Sequence, residues 1–178
     1  TRKRNPMVEN EWSWDAKRFF DIYYAPYSSA DTRGKIKKMP KVNTKFHEGP
    51  MTFSLDGKTV YFTRNNLVRS KKGRDKNHIL NLKIYIADVD TKGRFVNERE
   101  FTHNSTDYSV GHPALSADGS KLYFVSDKPG GFGETDLYVC SINGNNQFGE
   151  MMNLGASINT EGREMFPFLD AAGRLFFS

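Results

Sequence analysis

One phrase recurs three times along this chain, and that recurrence restricts the possible folds more than any bulk property. It reads Gly49-Pro50-Met51-Thr52-Phe53-Ser54-Leu55-Asp56-Gly57-Lys58-Thr59-Val60-Tyr61-Phe62 in its first copy. The second runs from Gly111 through Ser116-Ala117-Asp118-Gly119 to Leu122-Tyr123-Phe124-Val125. The third runs from Met165 through Asp170-Ala171-Ala172-Gly173 to Leu175-Phe176-Phe177. Aligned without a gap on the turn glycines Gly57, Gly119 and Gly173, the copies lie 62 and 54 residues apart.

Each copy reads as a hairpin. Asp-Gly is a strong two-residue turn signal, because glycine enters positive φ without a Cβ clash. The third copy departs from it, with Ala171-Ala172 before Gly173. The strands that follow are apolar at consecutive positions, as expected of a strand covered on both faces. A second element interleaves with the first: Phe19-Phe20-Asp21-Ile22-Tyr23-Tyr24-Ala25, Leu82-Lys83-Ile84-Tyr85-Ile86-Ala87, and Thr135-Asp136-Leu137-Tyr138-Val139-Cys140. Each reads as a third strand leading to a more exposed fourth, over residues 34–39, 93–96 and 148–154. The alternating lysines of the first of these suit an outer edge strand.

Four antiparallel strands per repeat, packed face to face, make an all-β chain of β-propeller blades. The spacing predicts a partial blade over 12–42, whole blades over 46–100 and 108–155, and a second partial blade over 159–178. Two complete and two partial blades fall short of the roughly four to eight that close a ring. The chain starts at Thr1 rather than Met, so it reads as a processed product or part of a longer protein, with further residues expected at both ends.

The net charge of +5 raises the question of nucleic acid. The basic residues form two clusters, Arg33-Lys35-Lys37-Lys38-Lys41 and Arg69-Lys71-Lys72-Arg74-Lys76, and neither interleaves aromatics for base stacking. They read as solvated loop and strand edge, and no nucleic-acid partner is expected. No apolar run reaches helical membrane-spanning length. The one cysteine, Cys140, lies in an apolar stretch and reads as a small core residue.

Sharper chemistry finds little support. Nucleophilic catalysis needs a serine or cysteine with a base and an orienting carboxylate. The chain has no G-x-S-x-G elbow, and His47, His78, His103 and His112 stand in no catalytic context. Ser54 and Ser116 precede the turns, where serine caps backbone groups. Asp88-Val89-Asp90-Thr91-Lys92-Gly93 lacks the third acidic position and distant glutamate of a calcium loop, and reads as a turn. Ser54 to Thr59 differs from a sialidase Asp box in having Asp and Gly adjacent. The glycine-rich 126–133 loop lacks the Gly-Lys-Ser/Thr ending of a phosphate cradle. No catalytic residue, metal ligand or cofactor is therefore assigned.

Binding is the remaining chemistry. Polar residues entering the inner strands, His47, Glu48, His112, Arg163 and Glu164, are read as standing at one end of three blades. They would form either a ring on the binding face or hydrogen bonds between neighbouring blades. Asp21 and Asp136, at matching strand starts, read as caps for loop backbone. The 64–80 insertion exceeds ordinary hairpin loops. Its Arg69, Lys71, Lys72, Arg74 and Lys76 are the candidate partner-binding basic loop, with a protein as the expected partner.

The stretch from Leu115-Ser116-Ala117-Asp118-Gly119 through Asp127, followed by Gly133-Glu134-Thr135-Asp136-Leu137-Tyr138, resembles the TolB-type propeller repeat. Residues 43–50, Phe62-Thr63-Arg64-Asn65-Asn66 and the long phrase from Asn153-Leu154-Gly155 to Phe168 narrow the likeness. They are similar to the OmpA-family propeller proteins of Bacteroidota, the group of the PorE-like component of type IX secretion. The resemblance implies a non-catalytic protein-interaction scaffold of the cell envelope on the periplasmic side of the outer membrane. It further implies a lipoprotein parent that binds peptidoglycan through a domain outside this chain. The implied partners are envelope or outer-membrane proteins, a secretion-associated β-barrel among them. Two alternatives stay open: the propeller of a peptidase or glycosidase with its catalytic residues elsewhere, and a TolB-like periplasmic adaptor.

Overall fold

The computed structural model describes residues 20–29, 32–40, 42–44, 47–68, 71–72, 79–144 and 147–178. Among them there is no α-helix, and the sheets are antiparallel, so the described residues are all-β as the aromatic and turn-rich sequence suggests. The chain divides into two compact units, residues 1–48 and 49–178.

The first unit is a nested pair of hairpins. Strand β1 (Tyr23–Tyr24) pairs with β4 (Lys37–Lys38), and between them β2 (Tyr27–Ser29) pairs with β3 (Thr32–Arg33). Tyr23 opposes Lys38 and Tyr24 opposes Lys37. Lys38 reaches Asp21 at 2.8 Å, so Asp21 holds an edge lysine. Ile22, Met39 and Val42 form the buried side of this unit.

In the second unit, β5 (Glu48–Phe53), β6 (Thr59–Asn65), β9 (Leu82–Val89) and β10 (Phe95–Glu100) form a four-stranded meander. The next sheet repeats it with β11 (Val110–Leu115), β12 (Lys121–Ser126) and β13 (Asp136–Asn143). Its outer edge, expected as one strand, is divided between β14 (Gln147–Phe148) and β15 (Met152–Asn153). Gly149 lies in this break, where a Cβ would strike the Ser141 hydroxyl, so glycine permits the close approach. Last comes a lone hairpin, β16 (Phe168–Leu169) with β17 (Leu175–Phe176).

Consecutive apolar residues have the expected consequence: both faces of the central strands are buried. Val60, Tyr61 and Phe62 on β6, and Ile84, Tyr85, Ile86 and Ala87 on β9, all lie within the core. Tyr61, Ile84 and Ile86 join Leu122, Phe124, Tyr138 and Cys140 in one cluster between the two sheets. Phe101 sits in that cluster edge-on to Phe124 at 5.3 Å and to Phe148 at 4.7 Å. Burial pushes the Cys140 thiol up to about 12, in keeping with its reading as a core residue.

The turns explain the odd third copy. Gly57, Gly119 and Gly173 all have φ between 68° and 77°. In the first two turns Ser54 and Ser116 accept the Thr59 and Lys121 N–H groups at 2.9 Å, and each donates to the Asp of its Asp-Gly pair. In the third, Asp170 stands in the serine's place. Its carboxylate accepts the Ala172 and Arg174 N–H groups and pairs with the Arg174 side chain. The same lock closes the Asp90–Arg94 turn, so the calcium-like run is a turn whose carboxylate is committed to its own backbone.

One expectation needs correction. The gap-free alignment fails past the turn glycine, because Leu169 pairs with Leu175 where Leu115 pairs with Leu122. The Asp170 turn is one residue tighter, so Leu175, Phe176 and Phe177 correspond to Leu122, Tyr123 and Phe124.

The 64–80 insertion, read as a polar loop, begins as a ribbon in which β7 (Leu67–Val68) pairs with β8 (Lys71–Lys72). Lys71 and Lys72 are thus on a strand. Arg69, Arg74 and Lys76 lie outside the described residues, as does Lys41 of the other basic cluster.

Candidate functional site

The connections that carry the chain into each inner strand share one device. Asn159 accepts the Leu137 N–H at 2.8 Å and donates to the Leu137 carbonyl at 3.1 Å. Asn104 does the same to Ile84 at 3.0 and 2.7 Å, and Asn43 to Ile22 at 2.7 and 2.8 Å. Ile22, Ile84 and Leu137 each stand near the start of a third-strand element. A carboxamide is the side chain that offers one acceptor and one donor at this reach, and so can mimic a strand neighbour. Sequence reasoning passed over these asparagines. Their signal was the recurring Asn43-Thr44, Asn104-Ser105 and Asn159-Thr160 pairs at nearly constant distance from the third strand.

Glu48 and Glu164 each stand nine residues before their turn glycine, where the middle copy has Val110. Glu164 is buried, at 4% exposure, and its Oε1 accepts both the Thr160 N–H and the Thr160 hydroxyl. Glu48, at 1% exposure, holds Thr44 in the same way. His47 accepts the Phe20 N–H through Nδ1 at 3.2 Å and lies against the Phe20 ring. These three side chains are engaged in fixing their own connections.

His112 belongs to a different register. It stands seven residues before Gly119, as Phe166 does before Gly173 and Pro50 before Gly57. Alignment with His47, Glu48, Arg163 and Glu164 is therefore inexact. Both His112 and Phe166 have left-handed backbone, with φ of 53° and 52°, and each precedes a proline. Such a conformation is uncommon for side-chain-bearing residues and persists where surrounding contacts enforce it. Here the rings stack at 4.4 Å with planes 13° apart. His112 Nδ1 accepts the Phe166 N–H at 3.3 Å, and Thr63 accepts the His112 N–H at 2.8 Å. Burial holds the imidazole down at about 4.

Arg163 remains outward. It pairs with Glu134, both side chains being well exposed, and Thr135 bridges to Arg163 through the backbone. This ties the glycine-rich loop to the 160–164 connection. A Cβ at Gly133 would run into the Thr160 and Gly162 carbonyls, so glycine permits the approach. Asp136 anchors the same loop by accepting the Phe132 and Gly133 N–H groups at 2.8 and 3.1 Å, the capping role expected of it. On the outside of this locked pair of loops lie Phe132 and Phe166, 50% and 55% exposed. Of the five face residues named from the sequence, the structure brings Arg163, Glu164 and His112 to this neighbourhood, but only Arg163 is presented to solvent.

Chemically, the arrangement is a surface of two exposed aromatic rings and an exposed ion pair on a rigid backing. Among the described residues, no three His, Cys, Asp or Glu side chains are grouped to hold a metal.

No family model matches the chain, and no curated protein does. Among solved structures, one that is similar is a puromycin-hydrolysing peptidase from Mycobacterium tuberculosis, 21% identical, with a TM-score of 0.49. The match covers 79% of this chain and spans only 20% of the peptidase.

Proposed function

We propose that this chain is part of a β-propeller that serves as a non-catalytic protein-interaction scaffold, in an OmpA-family protein on the periplasmic side of the outer membrane. A four-stranded meander, followed by a five-stranded sheet whose first three strands repeat its order and share one core with it, supports the propeller reading. The link to type IX secretion, to peptidoglycan and to a lipid-anchored parent rests on the sequence resemblance.

The observation that carries the interaction role is the exposed Phe132, Glu134, Arg163 and Phe166 surface, mounted on loops locked by Asp136, Asn159 and Glu164. Rigid scaffolds present binding residues on such loops, and exposed phenylalanines together with an arginine have the composition of interface anchors. The partner proposed is an outer-membrane or envelope protein. A photo-crosslinking amino acid at Phe132 or Phe166, in the intact protein in its own cells, tests this. Adducts to one outer-membrane protein are expected, with none from Leu55, an exposed residue at a strand turn. Equal or absent labelling at all three positions would overturn the reading.

A further inference from the structure

One asparagine stands apart from the others by its neighbour in sequence and by its surroundings in the fold. Asn143-Gly144 is the only Asn-Gly pair among the 178 residues. Both residues are exposed, at the end of β13 where the chain leaves for β14. Among the described residues, the Asn143 carboxamide makes no hydrogen bond, whereas every other described carboxamide is hydrogen-bonded or buried. Asn43, Asn104 and Asn159 use both ends of the amide on a strand backbone. Asn97 and Asn153 bond the carboxylates of Asp88 and Asp136, and Asn65, Asn66 and Asn81 are buried.

An exposed, unbonded carboxamide followed by glycine has an intramolecular reaction open to it. The carboxamide carbon is an electrophile, and the next backbone nitrogen is tethered at the distance that closes a five-membered ring. A Cβ on the following residue shields that nitrogen and restricts its approach. Gly144 carries none, and the space around it is open: an added Cβ would meet nothing within 4 Å. Closing the ring requires Asn143 to leave strand geometry. That opening is local, because β14 is held to β13 through two residue pairs, Ile142 with Phe148 and Asn143 with Gln147.

We propose that Asn143-Gly144 is a self-modifying site, at which the folded protein slowly deamidates and loosens its own outer edge. The Gly144 nitrogen bonds to Asn143 Cγ, and the carboxamide nitrogen leaves as ammonia, taking up the proton that Gly144 gives up. Water then opens the resulting succinimide at one of its two carbonyls. Opening at the side-chain carbonyl yields aspartate; opening at the main-chain carbonyl yields isoaspartate, with the backbone routed through Cβ. The net change consumes water and releases ammonia, and no electrons are transferred. Isoaspartate adds a methylene to the main chain between Asn143 and Gly144, so Gln147 and Phe148 lose register with β13. Phe148 lies edge-on to Phe101 at 4.7 Å and to Tyr61 at 6.4 Å, so the change reaches the core between the sheets. The chemistry is independent of the interaction role proposed above.

Peptide mapping of the intact protein, kept folded in mildly alkaline buffer, provides the test. Conversion should appear at Asn143 ahead of every other asparagine, with isoaspartate detected by its enzymatic methylation. Gly144→Ala should lose most of that conversion and stay folded, because its Cβ enters open space and Gly144 is not in the left-handed region. The converted protein should show a lower denaturation midpoint than fresh protein. Asn143→Asp should keep the fresh midpoint, because it adds the charge without the extra methylene. An Asn143 that outlasts the other asparagines, conversion undiminished in Gly144→Ala, or a midpoint unchanged by conversion would each overturn the proposal. So would an equal fall in the midpoint of Asn143→Asp.

Discussion

Asn159 grips both backbone groups of Leu137, with its carboxamide oxygen on the N–H and its nitrogen on the carbonyl, at a site where both residues are buried. The bond pair supplements the strand pairing at Leu137, which meets Val125 of β12 on one side and the Leu154 N–H on the other. Replacing Asn159 with Ala would strand the buried Leu137 N–H, while the Leu137 carbonyl keeps the Leu154 N–H at 3.0 Å, at a cost of about 1–3 kcal/mol. Chemical denaturation should show the midpoint fall with an unchanged slope. Asn159→Asp should cost at least as much, because it turns a buried carboxylate oxygen on the Leu137 carbonyl and the Asn153 carboxamide oxygen that the Asn159 nitrogen now serves.

Phe101 supplies the second prediction. Its ring fills the space between the two sheets against Phe124 and Phe148, and its exposure is 2%. Phe101→Ala removes that packing and leaves a cavity, which should destabilise the unit by about 3–5 kcal/mol. Phe101→Leu should lose far less, since most of the volume remains. A loss in the Ala variant no greater than in the Leu variant would show that the sheets are not packed through this ring.

Stability should carry a pH signature from His112. Its folded-state value of about 4 lies below the ordinary 6.5, through burial of the ring. A depressed base is neutral in the fold and binds its proton more readily when unfolded. Its contribution is therefore complete above pH 6.5, declines as pH falls from 6.5 towards 4, and changes no further below that. The total is on the order of 3 kcal/mol. His112→Asn, which tolerates the left-handed backbone, should flatten the pH dependence of the denaturation midpoint within this window. A slope unchanged by the substitution would assign it to other groups.

Arg64 is nearly buried, forks onto the Glu98 carboxylate, and lies over the Tyr85 ring at 4.0 Å. A planar guanidinium can do both at once, and an ammonium cannot. Arg64→Lys should therefore cost about 1–2 kcal/mol although the charge is kept. Glu98→Ala should cost more, about 2–3 kcal/mol, by leaving a largely desolvated cation without its charged partner. Thermal unfolding of the two variants side by side would establish the order.

Sequence alone determined the strands and their turns, because those depend on local chemistry. Ser54, Ser116 and the glycines act within a few residues of themselves, and the double-sided burial of Val60-Tyr61-Phe62 is written in consecutive apolar residues. The repeat also marked the stretches that became the two meanders. Tertiary structure decided what depends on residues brought from elsewhere in the chain. Whether Glu164 faces a partner or caps Thr160, and whether His112 is offered or stacked beneath Phe166, turns on how each connection folds back on the strand behind it. The same holds for the turn glycines that framed the comparison. Gly173 marked the third hairpin correctly, yet only strand register revealed that the Asp170 lock shortens its turn, so that Phe177 and not Ser178 inherits the place of Phe62 and Phe124. A glycine fixes where the backbone reverses; the hydrogen bonds around it fix which residues then meet.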